Sequence, residues 1–355
     1  MLNWIGSFSQ GQGYSGSAEH MIVALSKRGV DVRTMTFAKG DNLKNMTSDG
    51  LAIKSKPFAI APIGLAYGFP NSFSSLVYND IKIGFTMFET DRLPNGKPND
   101  WSGRTGNWLD CLEGLTLLLA PSNFCKELFI EQGAKCPVEV VPLGVDTEKY
   151  KYIERPRKSK FTFLMLGTLT IRKNPGYAIS AFIELFKDNP NVELILKTQD
   201  GTLGHFKMPY KNVKIIDRRA TSEEMMDYYR DADCFLFPSR GEGFGLPPLE
   251  AMATGLPVIF SGNTGMLDFA DDRYGYVIRK MVKKPAEYFP SKWGNIGNWF
   301  DPDYSELKSL MKYVYEHQDE AYNKGKVAAE WVKDNWTYDH TAEKLEKIFK
   351  KLKGE

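Results

Sequence analysis

The chain has 355 residues, 42% of them hydrophobic, with 46 Lys+Arg against 44 Asp+Glu and a net charge of +2. That length exceeds one ordinary core and fits two domains of roughly 150 to 200 residues. The charge is balanced, 14 basic against 15 acidic residues in the first 150 and 32 against 29 in the rest, which argues against a dedicated nucleic-acid binder. No apolar run approaches the roughly 20 residues of a membrane-spanning helix. The start, MLNWIGSF, lacks the basic region, apolar stretch and cleavage site of a signal peptide, so a soluble, cytoplasmic protein is expected. Cys111, Cys125, Cys136 and Cys234 have no C-x-x-C spacing and sit in or beside apolar segments, as free thiols do.

In chain order, strands are expected near Leu2–Phe8, Val30–Phe37, Ile81–Phe88, Leu115–Ala120 and Val138–Val141, with helices near Ser17–Arg28 and Asn123–Gln132. The alternation argues for βαβ units and a parallel sheet. Between Lys39 and Asn79 the pattern is poor and rich in Pro, Gly and aromatics; an irregular, substrate-facing region is expected. The charged stretch before Phe161 reads as a linker near residues 150 to 160. A second series follows: strands near Phe161–Leu166, Val192–Leu196, Val213–Ile216, Cys234–Phe237 and Val258–Phe260, with helices near Pro175–Phe186, Ser222–Arg230 and Pro247–Thr254. From about Asp303 the tail reads as three helices. The fold class is α/β, with two doubly wound parallel-sheet domains.

Gly11, Gly13 and Gly16 spell G-x-G-x-x-G, and Asp31 lies 20 residues after Gly11. A dinucleotide fingerprint starts where its strand ends and closes its second strand with the acid. Here the first glycine comes late and Asp31 opens the strand, so nicotinamide chemistry is disfavoured.

The stretch SRGEGFGLPPLEAMATGLPV, from Ser239 to Val258, is the most informative. It runs strand, loop, helix start, with Glu242 on the loop and Glu250 early in the helix. Ligands of open α/β sheets bind outside the carboxyl ends of the strands. Glycines admit a close ligand, and amides at a helix start attract anions. Amides near Phe244, Gly245 and Leu246 point at a phosphate, and the two carboxylates accept hydroxyl groups on either side of it, a description that fits a nucleotide sugar. The plainer alternative leaves Glu250 complementing a helix dipole and Glu242 solvated.

EGFGLPPLE resembles the E-x7-E motif of the retaining GT-B glycosyltransferases of family 4. APSNFCKELFIEQGAKCPVEVVPLGVD resembles that family's end to the first domain, and FLMLGTLTIRKNPGYAISAF the start of the second. The resemblance covers most of residues 80 to 270. It implies two Rossmann-like domains facing a cleft: 1–154 with a C-terminal helix, about 336–355, crossing back to it on the acceptor side, and 155–335 binding the donor. It implies transfer of a hexose, with retention, from a UDP- or GDP-sugar (UDP favoured) to an acceptor hydroxyl, with no metal or other cofactor required. Glu250 then binds the donor ribose and Glu242 the donor sugar. Lys173 meets the diphosphate with Arg172 as partner, and Arg218, with Arg219, sits near the base. Thr168 follows Gly167 where many relatives carry arginine, a departure that bears on the role of Arg172.

In the first domain the resemblance puts Gly13, Tyr14 and Gly16 near the donor diphosphate; a plain glycine turn capping the Ser17 helix is an equal alternative. Relatives often place a histidine near the reacting carbon, but His20, His205, His317 and His340 all lie elsewhere, so Glu89 is the candidate there, or a loop brace. His20 is expected to be structural. The resemblance leaves the acceptor open: a glycan, a lipid-linked glycan, a small sugar, or hydroxymethylated DNA, as in phage-encoded members that resemble the FTMFETDRLP segment. Arg92, Lys97 and Arg104 form the modest basic run a DNA acceptor would use. A non-catalytic sugar-nucleotide-binding module is the other alternative. The basic, amphipathic C-terminal helix allows peripheral membrane contact, with packing favoured.

Overall fold

A computed structural model describes residues 1–8, 13–36, 46–98, 103–199, 208–287 and 293–355. Gly11, His205, Trp101 and the stretch 39–45 lie outside them. The chain divides into two compact units, one of residues 1–144, 285–298 and 336–355, the other of 145–284 and 299–335.

In the first unit six parallel strands, β1 (Leu2–Gly6), β2 (Val32–Thr36), β3 (Ile63–Tyr67), β4 (Ile81–Phe85), β5 (Leu117–Ala120) and β6 (Val138–Val140), pair in the order β2-β1-β3-β4-β5-β6. The helices are α1 (Gly13–Lys27), α2 (Ser48–Lys54), α3 (Asn123–Glu131) and α9 (Tyr338–Lys353). The expected irregular region thus needs correcting, because it contains α2 and the central strand β3. IGLAY is buried at every position, so it shows no alternation, as central parallel strands do not. A Cβ at Gly64 would run into the Asn79 side chain, whose amide ties Asn3 and the Ala61 carbonyl (2.9 and 2.7 Å). The flanking prolines and glycines that masked the strand shape the loops on either side.

Helix α9 closes this unit on α1. Leu345, Ile348 and Phe349 are buried, His20 stacks on Tyr338 at 4.8 Å, and Arg28 pairs with Glu346 and Asp339 at 3.0 and 3.1 Å. Residues 285–298 add Trp293, parallel to Phe88 at 5.8 Å and edge-on to Trp108 at 5.7 Å.

The second unit repeats the plan with β7 (Phe161–Leu166), β8 (Val192–Thr198), β9 (Val213–Asp217), β10 (Cys234–Phe237), β11 (Val258–Ser261) and β12 (Tyr276–Ile278), ordered β12-β11-β10-β7-β8-β9 and parallel. Helices α4 (Pro175–Phe186) and α7 (Tyr304–Glu316) bury Phe182, Phe186, Leu307 and Met311 against one face. Helices α5 (Ser222–Asp231) and α6 (Leu246–Ala253) lie on the other, where Tyr229 meets Phe235. Helix α8 (Gln318–Asn335) follows α7, and a ribbon of β13 (Met281–Pro285) and β14 (Asn298–Pro302) carries the chain out to residues 285–298 and back.

This division differs from the expected one twice. Residues 145–154 belong to the second unit, where the Ile153 amide donates to the Thr254 carbonyl at 3.0 Å. Residues 285–298 belong to the first, anchored by Trp293.

Candidate active site

In the second sheet the strand order reverses between β7 and β10, the switch point where such sheets bind ligands. Two loops leave the carboxyl ends of those strands. One follows β7 through Gly167 (φ 122) to a tight turn at Ile171–Lys173, closed by Asn174 in the left-handed region (φ 59). The other follows β10 from Ser239 to Gly245.

They meet at Glu242, which is 7% exposed. Its Oε1 lies 2.7 Å from Lys173 Nζ and 2.7 Å from Arg172 Nη1, and accepts from Ser239 Oγ at 2.6 Å. Lys173 also lies 4.5 Å from the centre of the Phe237 ring. Burial alone would raise the Glu242 carboxyl, but the two cations and the hydroxyl outweigh it and hold it at about 2. The group therefore carries two positive charges against one negative.

Backbone bonds fix the loop. The Glu242 amide donates to Thr264 Oγ1 at 2.8 Å, Asn263 Nδ2 donates to the Ser239 carbonyl at 2.9 Å, and the Gly265 amide donates to the Glu242 carbonyl at 2.9 Å. A Cβ at Gly265 would run into the Gly243 carbonyl. Gly245 (φ 114) opens α6 without a side-chain cap. Pro247 and Pro248 have no N–H, so the amides available at this helix start reduce to those around Phe244, Gly245 and Leu246. The Phe244 ring itself is buried against Phe269 at 5.9 Å, leaving only its backbone to face a ligand.

Glu250 is the fifth residue of α6, past the first turn, where the helix dipole has faded. Its contacts are separate from the Glu242 group: Tyr229 Oη donates to its Oε2 at 3.2 Å, Tyr150 also hydrogen-bonds it, and Lys149 is the nearby opposite charge. Burial lifts its carboxyl, and these three partners oppose the rise. Arg218 is exposed and bonded to Glu224 at 2.9 and 3.1 Å. It makes no described contact with the Glu242 group.

In the first unit the strand order reverses between β1 and β3. Tyr14, at the start of α1, lies against Tyr67 at the end of β3 (ring centres 4.9 Å apart) and accepts from the Met87 amide at 3.1 Å. Burial, Tyr67 and the negative charge of Glu89 push the Tyr14 phenol up, against the hydrogen bond from the Met87 amide. Gly13, Tyr14 and Gly16, in the first turn of α1, thus lie at this switch point, and the charge of Glu89, after β4, acts on Tyr14. Gly13 and Gly16 have nothing within 4 Å of an added Cβ, so close packing does not demand glycine at either.

Sequence inspection missed Ser239, Asn263, Thr264, Tyr150 and Tyr229. SGNTG after β11 carried a turn signal, and Ser239 lay in the quoted stretch. The tyrosines had no local signal. Among the described residues no group of three or more His, Cys, Asp and Glu is placed to hold a metal, and no helix is long and apolar enough to cross a membrane.

Two doubly wound parallel sheets with loop sites at their carboxyl ends define the GT-B fold class. Over the whole chain the fold is similar to sucrose-phosphate synthase from Thermosynechococcus elongatus (TM-score 0.70, 14% identity, 100% of this chain and 99% of that one). It is likewise similar to Anabaena HepE, solved in complex with UDP-glucose (TM-score 0.67, 15% identity, 99% and 100%). Residues 146–287 match the family described as glycosyl transferases group 1. Among curated proteins the chain is 28% identical over 178 residues to the alpha-monoglucosyldiacylglycerol synthase of Streptococcus pneumoniae, 44% of this chain and 40% of that protein. The same identity and length hold for the Escherichia coli UDP-Gal:alpha-D-GlcNAc-diphosphoundecaprenol alpha-1,3-galactosyltransferase, of which 46% is covered. These matches span under half the length of the relatives.

Proposed function

We propose that this chain is a retaining glycosyltransferase that moves a hexose from a nucleotide diphosphate sugar, UDP-linked in first preference, to an acceptor hydroxyl in glycan or glycoconjugate synthesis. The observation that carries it is the Lys173, Arg172 and Glu242 group at the switch point. Its excess positive charge, with the amides of Phe244–Leu246, attracts a diphosphate. As the bond from the anomeric carbon to the diphosphate oxygen breaks, negative charge accumulates on the leaving group, and preorganised cations lower the barrier. Glu242, turned from the cations by the incoming diphosphate, accepts hydroxyls of the sugar, and Glu250 accepts those of the ribose. The acceptor oxygen bonds the anomeric carbon on the face the leaving group departs from, and its proton passes to a phosphate oxygen. No carboxylate nucleophile is needed.

The first unit takes the acceptor side in this proposal, with Glu89, Gly13, Tyr14 and Gly16 as its candidate residues. HepE, solved with UDP-glucose, supports a UDP donor. The glucosylated lipid that one relative is named as making, and the diphosphoundecaprenol-linked sugar in the name of another, support a lipid or lipid-linked glycan as acceptor. The test is a matrix of UDP- and GDP-sugars against membrane lipid extract, simple sugars, plain DNA and hydroxymethylated DNA, following nucleotide release and product mass. Release with one donor, abolished in Lys173→Ala, supports the proposal, and the acceptor that gains mass names the substrate class. Binding of a sugar nucleotide without turnover on any acceptor identifies a non-catalytic module instead.

A further inference from the structure

Two tyrosines converge on Glu250 from different parts of the second unit. Tyr229, 1% exposed, comes from α5 and donates to Oε2 at 3.2 Å. Tyr150 comes from the turn after Val145, where Asp146 accepts from the amides of Glu148 and Lys149 at 3.0 and 3.2 Å and the Tyr150 amide donates to the Asp146 carbonyl at 2.8 Å. The two rings meet edge to face at 5.7 Å, so each holds the other. The turn cannot drift: a Cβ at Gly255 would press into the Tyr152 ring, and Ile153 is bonded to Thr254.

A carboxylate has about four lone-pair directions. With one taken by the Tyr229 phenol at 3.2 Å, and the Tyr150 ring braced edge to face on Tyr229, rotation of the carboxylate is restricted while lone pairs remain for a ligand. We infer that Tyr150 and Tyr229 are positioning residues that orient Glu250 to accept both hydroxyls of a vicinal cis-diol, the chemistry of a nucleotide ribose. This rests on the proposed donor site. It makes the segment joining the two units, expected to be a linker, part of the nucleotide-reading apparatus.

The experiment is calorimetric titration of UDP and 2′,3′-dideoxy-UDP (or the guanosine pair, if only that nucleotide binds) into the full chain and its Tyr229→Phe, Tyr150→Phe and Glu250→Gln variants. Wild type is expected to prefer the ribonucleotide. Loss of a hydrogen bond to a charged group should weaken UDP binding by roughly tenfold in Tyr229→Phe, while dideoxy-UDP changes little, so that the preference shrinks toward that of Glu250→Gln. Tyr150→Phe, at a half-buried position, should shift the same ratio with less risk to the fold, and melting curves show whether each variant is intact. If both nucleotides weaken equally in the tyrosine variants, or neither does, the tyrosines serve only packing and the inference fails. A wild type that binds no nucleoside diphosphate overturns the donor site itself. A preference lost in Glu250→Gln but kept in both tyrosine variants overturns only the role of the tyrosines.

Discussion

Glu242 shows how three charges share one small volume. Side chains of Arg172, Lys173 and Glu242 are 13%, 11% and 10% exposed, so removing the carboxylate leaves two cations poorly solvated and facing each other. Glu242→Gln should therefore lower unfolding free energy by roughly 3 kcal/mol, measured by urea titration, and added pyrophosphate should return part of the loss by supplying the missing negative charge. The pH dependence follows from the depressed carboxyl. Its pKa falls from an unfolded value of about 4.3 to about 2 in the fold, so the folded state binds fewer protons there. The stabilisation is present above about pH 4.3 and lost as pH falls toward 2. Urea midpoints taken from pH 6 down to pH 2.5 should drop more steeply in the wild type than in Glu242→Gln. Equal slopes would mean that the carboxyl is not held low. Both glutamates, Lys173 and Arg172 were legible in the sequence because motif and spacing name them. The direct pairing of Glu242 with Arg172 and Lys173 was not, because it depends on two loops, with Lys173 and Glu242 69 residues apart, reaching one point.

At the scale of elements, close backbone approaches set the geometry. A side chain at Gly265 would meet the Gly243 carbonyl and the Phe244 amide, so Gly265→Ala must push the Ser239–Gly245 loop away from Arg172 and Lys173. The expected result is a fall of tenfold or more in kcat/KM with a modest loss of stability, roughly 1–3 kcal/mol, as for other overpacked sites. Gly144 lies against the backbone of Thr337 and Tyr338 at the start of α9. Gly144→Ala should lower Tm by displacing that helix while leaving the Glu242 loop, and nucleotide affinity, unchanged. Most elements were legible where apolar runs had clear ends, as at Phe161–Leu166 and Pro175–Phe186. Strand β3 was not, since five buried residues among prolines and glycines carry no period, and its identity as a strand comes from pairing with β1 and β4 on either side.

For the whole molecule, the chain crosses between its units several times, and each crossing leaves a piece of one unit carried by the sequence of the other. A fragment of residues 1–144 lacks α9 and exposes the face of α1 that α9 covers. A fragment of 145–335 keeps residues 285–298 but not the Phe88 and Trp108 surface that buries Trp293. Both fragments should therefore aggregate or melt without cooperativity. Replacing 285–298 by a short Gly/Ser turn between β13 and β14 should rescue 145–335 as a soluble, cooperatively melting unit that retains nucleotide binding, checked by size-exclusion chromatography and calorimetry. Failure of the shortened fragment to fold would show that the second unit draws stability from more than its own core.

The sequence by itself determined the class of fold, the loop that bears the paired glutamates and the cations that accompany them, because hydrophobic periodicity, glycine and proline placement and motif spacing are local properties of a chain. Only the tertiary structure decided which strand sits at the centre of the first sheet, where each unit ends, and that Tyr150 and Tyr229 hold Glu250. Those facts are contacts between residues far apart in the chain, and they exist only once the sheets have ordered their strands and brought the loops at the carboxyl ends together.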